Sequence, residues 1–552
     1  MGFITLNSTT MASIAPKTTV LGFDNAAHLL RRSCFSVNKS LINQYALLSP
    51  QQAVSMLFNF TYTENIPRNE YNLTYIPTVT NPVIQGTYVG GHQFHTQHWL
   101  YKASTTNTIE YKLALWLHLC FICSDDSFDT YVCHDNKELI RYHTKDNLKN
   151  LAIRITQNPQ MLHFLDNRYN TVSNSNQNYA REFLELFTIL KGPQTATGSY
   201  TTYSEMDVQQ AAKVFTGFNS IHNNYLIQGR LGYFDPVTNI PKGVLIPSAH
   251  DQTNKSFSAL LGGQTIVGQS TQLGMEQELS SFIDMIFNQP ATAKSYASRL
   301  YRYFVGRNIT TTIEQDIIEP LAQTLLNNNY NIELAVKQLL TSQHFYDEDD
   351  AINGDTTIGA ITKSPLDLIL NIITLFQIAL PNYSSNAISI SNFFSVHIQN
   401  FCEKCGFKIF NPTSVNGYSA YTDSPNYDKN WVNTTSLYIR YNETIDRFIS
   451  GITYNNHLYK LVTTTFVQNS GHFSNPANAE TLVQEFYSLL FVSAPTGTRH
   501  DYFKNTLLGG LSTINWQNEW QSYLDNNPNN GVKIRLDALV KALIKSPEFQ
   551  VM

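Results

Sequence analysis

Ile109 to Cys123 reads IEYKLALWLHLCFIC. Apolar residues occupy every side of its later turns. A helix here has no face to offer water and belongs at the centre of a helical core. The longest apolar run, Leu113 to Cys123, is interrupted by His118 and falls far short of the roughly 20 residues of a membrane span. No transmembrane segment is expected. Outward from this helix the helical period recurs. Ser49-Pro50-Gln51-Gln52 carries a helix start, with Ser as N-cap, Pro in the first turn and Gln placed for a capping box. Asp135 to Tyr142 and Thr144 to Gln157 follow, Pro159 opens a short helix, and Tyr179 to Leu190 is helical until Lys191-Gly192-Pro193 stops it. Ser204-Glu205 begins another, through Phe215.

From Asn223 to Gln269 the period is lost. Gly229, Gly232, Pro236, Pro241, Gly243, Pro247, Gly262 and Gly263 predict short strands and turns. Helices resume over Met275 to Phe287, Ala291 to Phe304, Thr312 to Asn327 and Ile332 to Phe345. Glu348-Asp349-Asp350 through Thr357 is a polar break. Leu366 to Leu380, Asn392 to Glu403, Ser436 to Gly451, Ala479 to Phe491 and Leu536 to Ser546 are helical. The expected fold is mainly α, a bundle-like architecture of many helices with a β-rich insertion at 223–269. The expected organisation is a flexible segment over 1–20, a helical domain over 21–347 that holds the insertion, and a second helical domain over 358–552 with a long aromatic loop at 411–435.

The chain has 552 residues, more than one small core needs. Charged residues make up 14%, against a usual value of about 25%, and Asn, Thr, Ser and Tyr carry the polarity instead. The net charge of -5 comes without a basic block, which argues against nucleic-acid binding. The first residues, MGFITLNSTTMASIAPKTTV, lack a basic stretch followed by an apolar one. No signal peptide is read there, and the default location is cytoplasmic; an uncharged Asn/Thr/Tyr-rich composition equally suits an exported or cell-surface protein. Six cysteines over this length do not imply a disulfide framework.

Several stretches resemble, in order, a bacterial family known as domain of unknown function 1800. They are AHLLRRSCF (27–35), NQNYAREFLELFTILKG (176–192), YSEMDVQQAAKVFTGF (203–218), HDQTNKSFS (250–258), ATAKSYASRLYRYFVG (291–306), NPTSVNGYSAYTDSPNYDKNWVNTTSL (411–437) and SPEFQ (546–550). The resemblance implies a mostly α-helical fold and no settled activity. It also implies a possible protein partner, because members often sit beside a sulfatase-like family. Two departures weaken any site that uses those positions: Gln177 stands where the motif usually has Glu, and Cys120 replaces the second histidine of a His-x-His-Phe stretch.

The candidate site residues come from the polar positions of apolar elements. Asn178, Glu182 and Glu185 form a polar stripe on a largely apolar helix, and Arg181 stands at i, i+4 from Glu185. Two carboxylates there fit a metal or a shared proton; the favoured reading is structural, a buried Arg/Glu network that fixes helix registry or simply a wet face. His118 could complete a metal shell if its helix packs on that stripe; a buried His is otherwise a core residue. His250 and Asp251 read as a His-Asp dyad at a cleft or as a turn in which Lys255 pairs Asp251. Cys120-x-x-Cys123 and Cys402-x-x-Cys405 have zinc-like spacing but an apolar setting. Tyr418, Tyr421, Tyr427 and Trp431 either line a groove or seal helices together. His92, His95 and His98 fall at a solvent-exposed helix start; the three are too far apart along the axis to share one ion easily, although a pair at i, i+3 could. Two functions follow. One is a non-catalytic scaffold or binding protein with a buried Arg/Glu network. The other is a metal-assisted, hydrolase-like enzyme using Glu182, Glu185 and His118, with a divalent metal as the only cofactor implied.

Overall fold

A computed structural model describes residues 12–64, 94–125, 130–197, 199–220, 233–349, 356–525 and 531–552. About 60% of the described residues are helical and 6% are strand. The helix Glu110–Cys120 is buried on every side, its charged Glu110 and Lys112 included. Those two charges are matched: Arg141 Nε donates to Glu110 at 2.8 Å, and Lys112 is ion-paired with Asp367. Local chemistry sets the helix starts. Ser49 Oγ accepts from the Gln52 N–H while the Gln52 side chain accepts from the Ser49 N–H, which closes the capping box ahead of Pro50–Leu57. Asn158 caps Pro159–Phe164, with Pro in the first turn where its missing N–H costs nothing.

The strands are small. Among the described residues each sheet has two strands, all antiparallel. Two pairs lie within the expected insertion, Tyr233–Phe234 with Pro241–Lys242 and Lys255–Ser256 with Thr265–Ile266, and a third pairs its Val244–Leu245 with Phe218–Asn219, ahead of it. Residues 223–232 of that stretch lie outside the described residues. The expected loop at 411–435 contains two short helices, Ser419–Thr422 and Tyr427–Trp431. The helices Gly497–Leu508 and Thr513–Leu524 were not anticipated, since each buries only a few large side chains and lacks a long apolar stripe.

The core does not divide at the polar break around residue 350. One hydrophobic cluster runs from Ala12 to Phe549. Arg31 donates to the Phe491 and Leu489 carbonyls at 2.9 Å, and Gln97 bonds Gln399 at 3.1 Å, so the two expected domains are joined by buried polar contacts. Of the segment expected to be flexible, residues 1–11 lie outside the described residues. From Ala12 the chain is docked: Pro16 bridges Ser342 and Lys17 pairs with Glu348.

Candidate functional site: a cationic cleft beside the signature helix

The helix Asn178–Glu182 widens into a π-turn, Phe183–Phe187. Tyr179, Phe183, Leu184 and Phe187 are buried and anchor it. A π-turn leaves carbonyls without their usual partners, and such turns are frequent at functional sites. Here the helix Pro290–Phe304 supplies the donors. Tyr296 OH donates to Phe187 O and Ser295 Oγ to Thr188 O, both at 2.7 Å, and the Arg299 guanidinium donates to Leu186 O.

The expected Arg/Glu network is not formed. Arg181 turns outward to Glu205, with two bonds of 2.8 and 3.0 Å, and the two side chains are 34% and 37% exposed. Glu185 pairs instead with Lys191. Glu182 is half-buried; burial raises its carboxyl above the usual range, against the pull of Lys191 and Arg181. Asn178 is spent on the Leu165 carbonyl, 3.2 Å away. The π-turn explains the lost i, i+4 pair: its extra residue carries Glu185 off the face that holds Arg181. An exposed pair contributes little, so Arg181→Ala should cost less than about 1 kcal/mol in urea unfolding. A loss of several kcal/mol would restore the buried lock.

His118 does not join these carboxylates. It stands edge-on to the Phe410 ring at 5.0 Å, and burial, reinforced by Lys137, pushes it down to about 3. Among the described residues two groups bring three metal-type donors within 4.8 Å, His95/Asp125/Cys133 and Glu64/His134/Asp135. Neither contains Glu182, Glu185, His118 or the four cysteines with zinc-like spacing. The first group already holds a cation. Lys137 Nζ lies 2.6 Å from Asp125, which also accepts from His95 at 3.2 Å and from Gln160 at 3.0 Å. Burial also pushes the Cys133 thiol well up, away from the thiolate a metal needs. This is an ion knot, in which a metal would have to displace the ammonium.

The histidine run is corrected by the same knot. His92 lies outside the described residues. His95 and His98 sit on Phe94–Thr105 and are buried, His98 edge-on to Tyr383 at 4.8 Å. The insertion's residues are also placed differently from the dyad. His250 Nε2 meets Glu278 Oε1 at 3.1 Å, and Lys255 donates to Glu278 Oε2 at 2.5 Å. Asp251 faces away and accepts from the Thr253 N–H at 2.9 Å, a turn contact, so Lys255 pairs with Glu278 rather than with the Asp251 carboxylate.

Sequence candidates do meet in a cavity of about 450 Å³. Trp116, Ile122, Leu186 and Phe187 give it an apolar wall, and Glu185, Cys120 and Tyr421 reach it. Its cations are Lys191, Arg299, Arg302 and Arg307; its carboxylates are Glu185 and Asp423. Tyr418 and Trp431 are turned to sealing: Tyr418 OH donates to Lys408 O at 2.7 Å, and Trp431 packs on Phe407 at 5.2 Å. A second cavity of about 570 Å³ adjoins the first, with Arg302, Arg307 and Tyr427 lining both. Arg307 is paired with Asp428 at 3.2 Å. Arg302 is not paired with a carboxylate among the described residues. Its guanidinium lies over the Tyr427 ring at 5.3 Å, and its buried Nε has no acceptor.

Sequence reasoning missed these arginines. Arg299 and Arg302 are i, i+3 neighbours in SRLYRYF, a helix that is otherwise apolar and aromatic, and that spacing was the available signal. Compared with known proteins, residues 28–551 match the family model described as Protein of unknown function (DUF1800). No curated protein and no solved structure matches the chain.

Proposed function

Since the chain belongs to this family of unknown function over nearly its whole length, its site has to be read from its own geometry, and we propose that it is a binding protein whose cleft takes a small anionic molecule with an apolar or aromatic body. The observation that carries this reading is Arg302. A guanidinium keeps its charge at any accessible pH and offers a planar fork to carboxylate or phosphate. Here it lies in a cavity it shares with Arg299 and Arg307, beside an apolar wall, without a carboxylate of its own among the described residues. The volume of about 450 Å³ falls within the usual size of small-molecule sites, which pair apolar walls with a few placed polar groups.

Calorimetric titration with phenyl phosphate tests the reading. Wild-type protein should bind it, and Arg302→Ala should weaken binding by about tenfold or more, because a desolvated charge pair loses one partner. Equal affinity in both proteins, or no binding to wild type at millimolar probe, would sink it. The alternative metal-assisted enzyme built on Glu182, Glu185 and His118 gains no support from the geometry, since neither cluster of metal-type donors among the described residues contains any of them.

A further inference from the structure

The wall of the second cavity carries a chain of three buried groups that anion binding alone does not use. Tyr301, one residue before Arg302, has its hydroxyl 2.9 Å from His344 Nε2, and His344 Nδ1 lies 2.7 Å from Asp349 Oδ2. The tyrosine and histidine rings are stacked at 5.8 Å. Tyr301 and His344 are each 1% exposed. Burial opposes ionisation of Asp349, yet the hydrogen bonds from His344 and the Ser13 N–H hold its carboxyl below the usual range. An ionised carboxylate only accepts, so Nδ1 carries the hydrogen of His344. Nε2 is left with its lone pair, and Tyr301 is the donor to it.

This is the arrangement of an oriented base acting on a hydroxyl. The cavity reaches it. Tyr301, Gly306, Arg302 and Arg307 line one space, and a β-carbon on Gly306 would stand 3.8 Å from the Tyr301 hydroxyl. Glycine at 306 therefore keeps the approach to that oxygen open.

We infer that Tyr301 is an acid–base residue that exchanges a proton with a hydroxyl on an anionic ligand held by Arg302 and Arg307, with His344 and Asp349 as positioning residues. The inference rests on the anion-binding reading of the cleft. In the forward direction the ligand O–H bond breaks and its proton goes to the Tyr301 oxygen. The Tyr301 proton moves to His344 Nε2 at the same time. The ligand is left as an oxyanion and His344 as an imidazolium facing the Asp349 carboxylate. The reverse transfer returns both protons, and no electron changes hands.

The probe is 5-hydroxy-2-nitrobenzoate, whose carboxylate suits the arginines and whose phenol reports its own ionisation by absorbance. Measurements are made at the pH where the free probe is half ionised. The bound probe should show a phenolate-to-phenol ratio about tenfold higher on wild type than on Tyr301→Phe, the equivalent of one pKa unit. Gly306→Val keeps Tyr301 but fills the space beside its hydroxyl, and His344→Gln removes the proton acceptor. Both should bind the probe and lose the spectral change, which a merely structural role would not alter. The same ratio on wild type, Tyr301→Phe and Gly306→Val overturns the inference while leaving the cleft reading intact. Failure of wild type to bind the probe, or undiminished binding by Arg302→Ala, removes the cleft reading and the inference with it.

Discussion

Replacing Glu278 with alanine is expected to destabilise the protein by roughly 3–5 kcal/mol, the cost of leaving a buried charge without its partner. Glu278 is 1% exposed and Lys255 is fully buried. The carboxylate accepts from Lys255 at 2.5 Å, from His250 at 3.1 Å and from the Gln269 N–H at 2.5 Å. Truncation removes all three acceptances together and leaves the ammonium with the Asp251 carbonyl and the His250 ring. It also frees the segment around Gln269, which leads into the helix Gln272–Phe287. Glu278→Gln should fall between, since an amide keeps one acceptor oxygen but not the charge. Urea unfolding of the two variants measures the ordering. If Glu278→Ala unfolds within about 1 kcal/mol of wild type, as surface pairs do, then water reaches this knot and its burial is not what holds it. The contrast with Arg181→Ala is the sharper form of the prediction: residues 250, 255 and 278 form a buried ionic lock, and residues 181 and 185 do not.

What the sequence disclosed, and what it hid, follows the range of the interactions. Ser49 and Gln52 are three residues apart, and their capping box could be named before any fold was known. The burial of Ile109 to Cys123 was equally legible, because a helix with no polar face has one place to go. Arg181 was misread because two local rules competed. The i, i+4 rule offered Glu185, but the turn at Phe183 to Phe187 is π-helical and delivers the arginine to Glu205 instead. Nothing in the sequence marks that turn, because its carbonyls are satisfied by Tyr296 and Arg299 more than a hundred residues away. His95 and His98 looked solvated because their covers, Asp125 and Tyr383, come from elsewhere in the chain. The cleft was half visible. Glu185, Cys120 and Tyr421 were singled out for separate reasons, and only tertiary packing puts them beside Arg299, Arg302 and Arg307.

Stability should fall steeply between pH 6.5 and pH 5, before ordinary carboxylates titrate. The cause is a set of buried histidines held neutral. Burial, helped by the Lys137 ammonium, pushes His95 down to about 4 and His118 to about 3, although Asp125 pulls both the other way. The Asp125 charge is already engaged by Lys137, which is why it does not rescue the imidazolium. Burial, with Lys102 as the next cause, puts His98 well below its usual value, and burial with Arg32 does the same for His28, whose Nε2 meets the Phe345 carbonyl at 2.9 Å. The sign follows from which state binds the proton. In the unfolded chain these rings protonate near pH 6.5; in the folded protein they do so only at the lower values. The unfolded state therefore holds more protons across the interval, and stability is complete above about pH 6.5 and lost as pH falls toward 4. His95 and His118 each contribute a loss of about 2 kcal/mol by pH 5. The two together approach the lower end of the stability of a folded domain, about 5–15 kcal/mol, and His98 and His28 add to the loss in the same direction. Urea midpoints at pH 7.5, 6.5 and 5.5 measure the slope. His118→Leu should flatten it by about one proton, since it deletes a ring whose Nε2 is buried without a hydrogen-bond partner. Unchanged midpoints from pH 7.5 to 5.5 would mean that these rings take up protons in the folded state, and the neutral core argued here for His95 and His118 would be wrong.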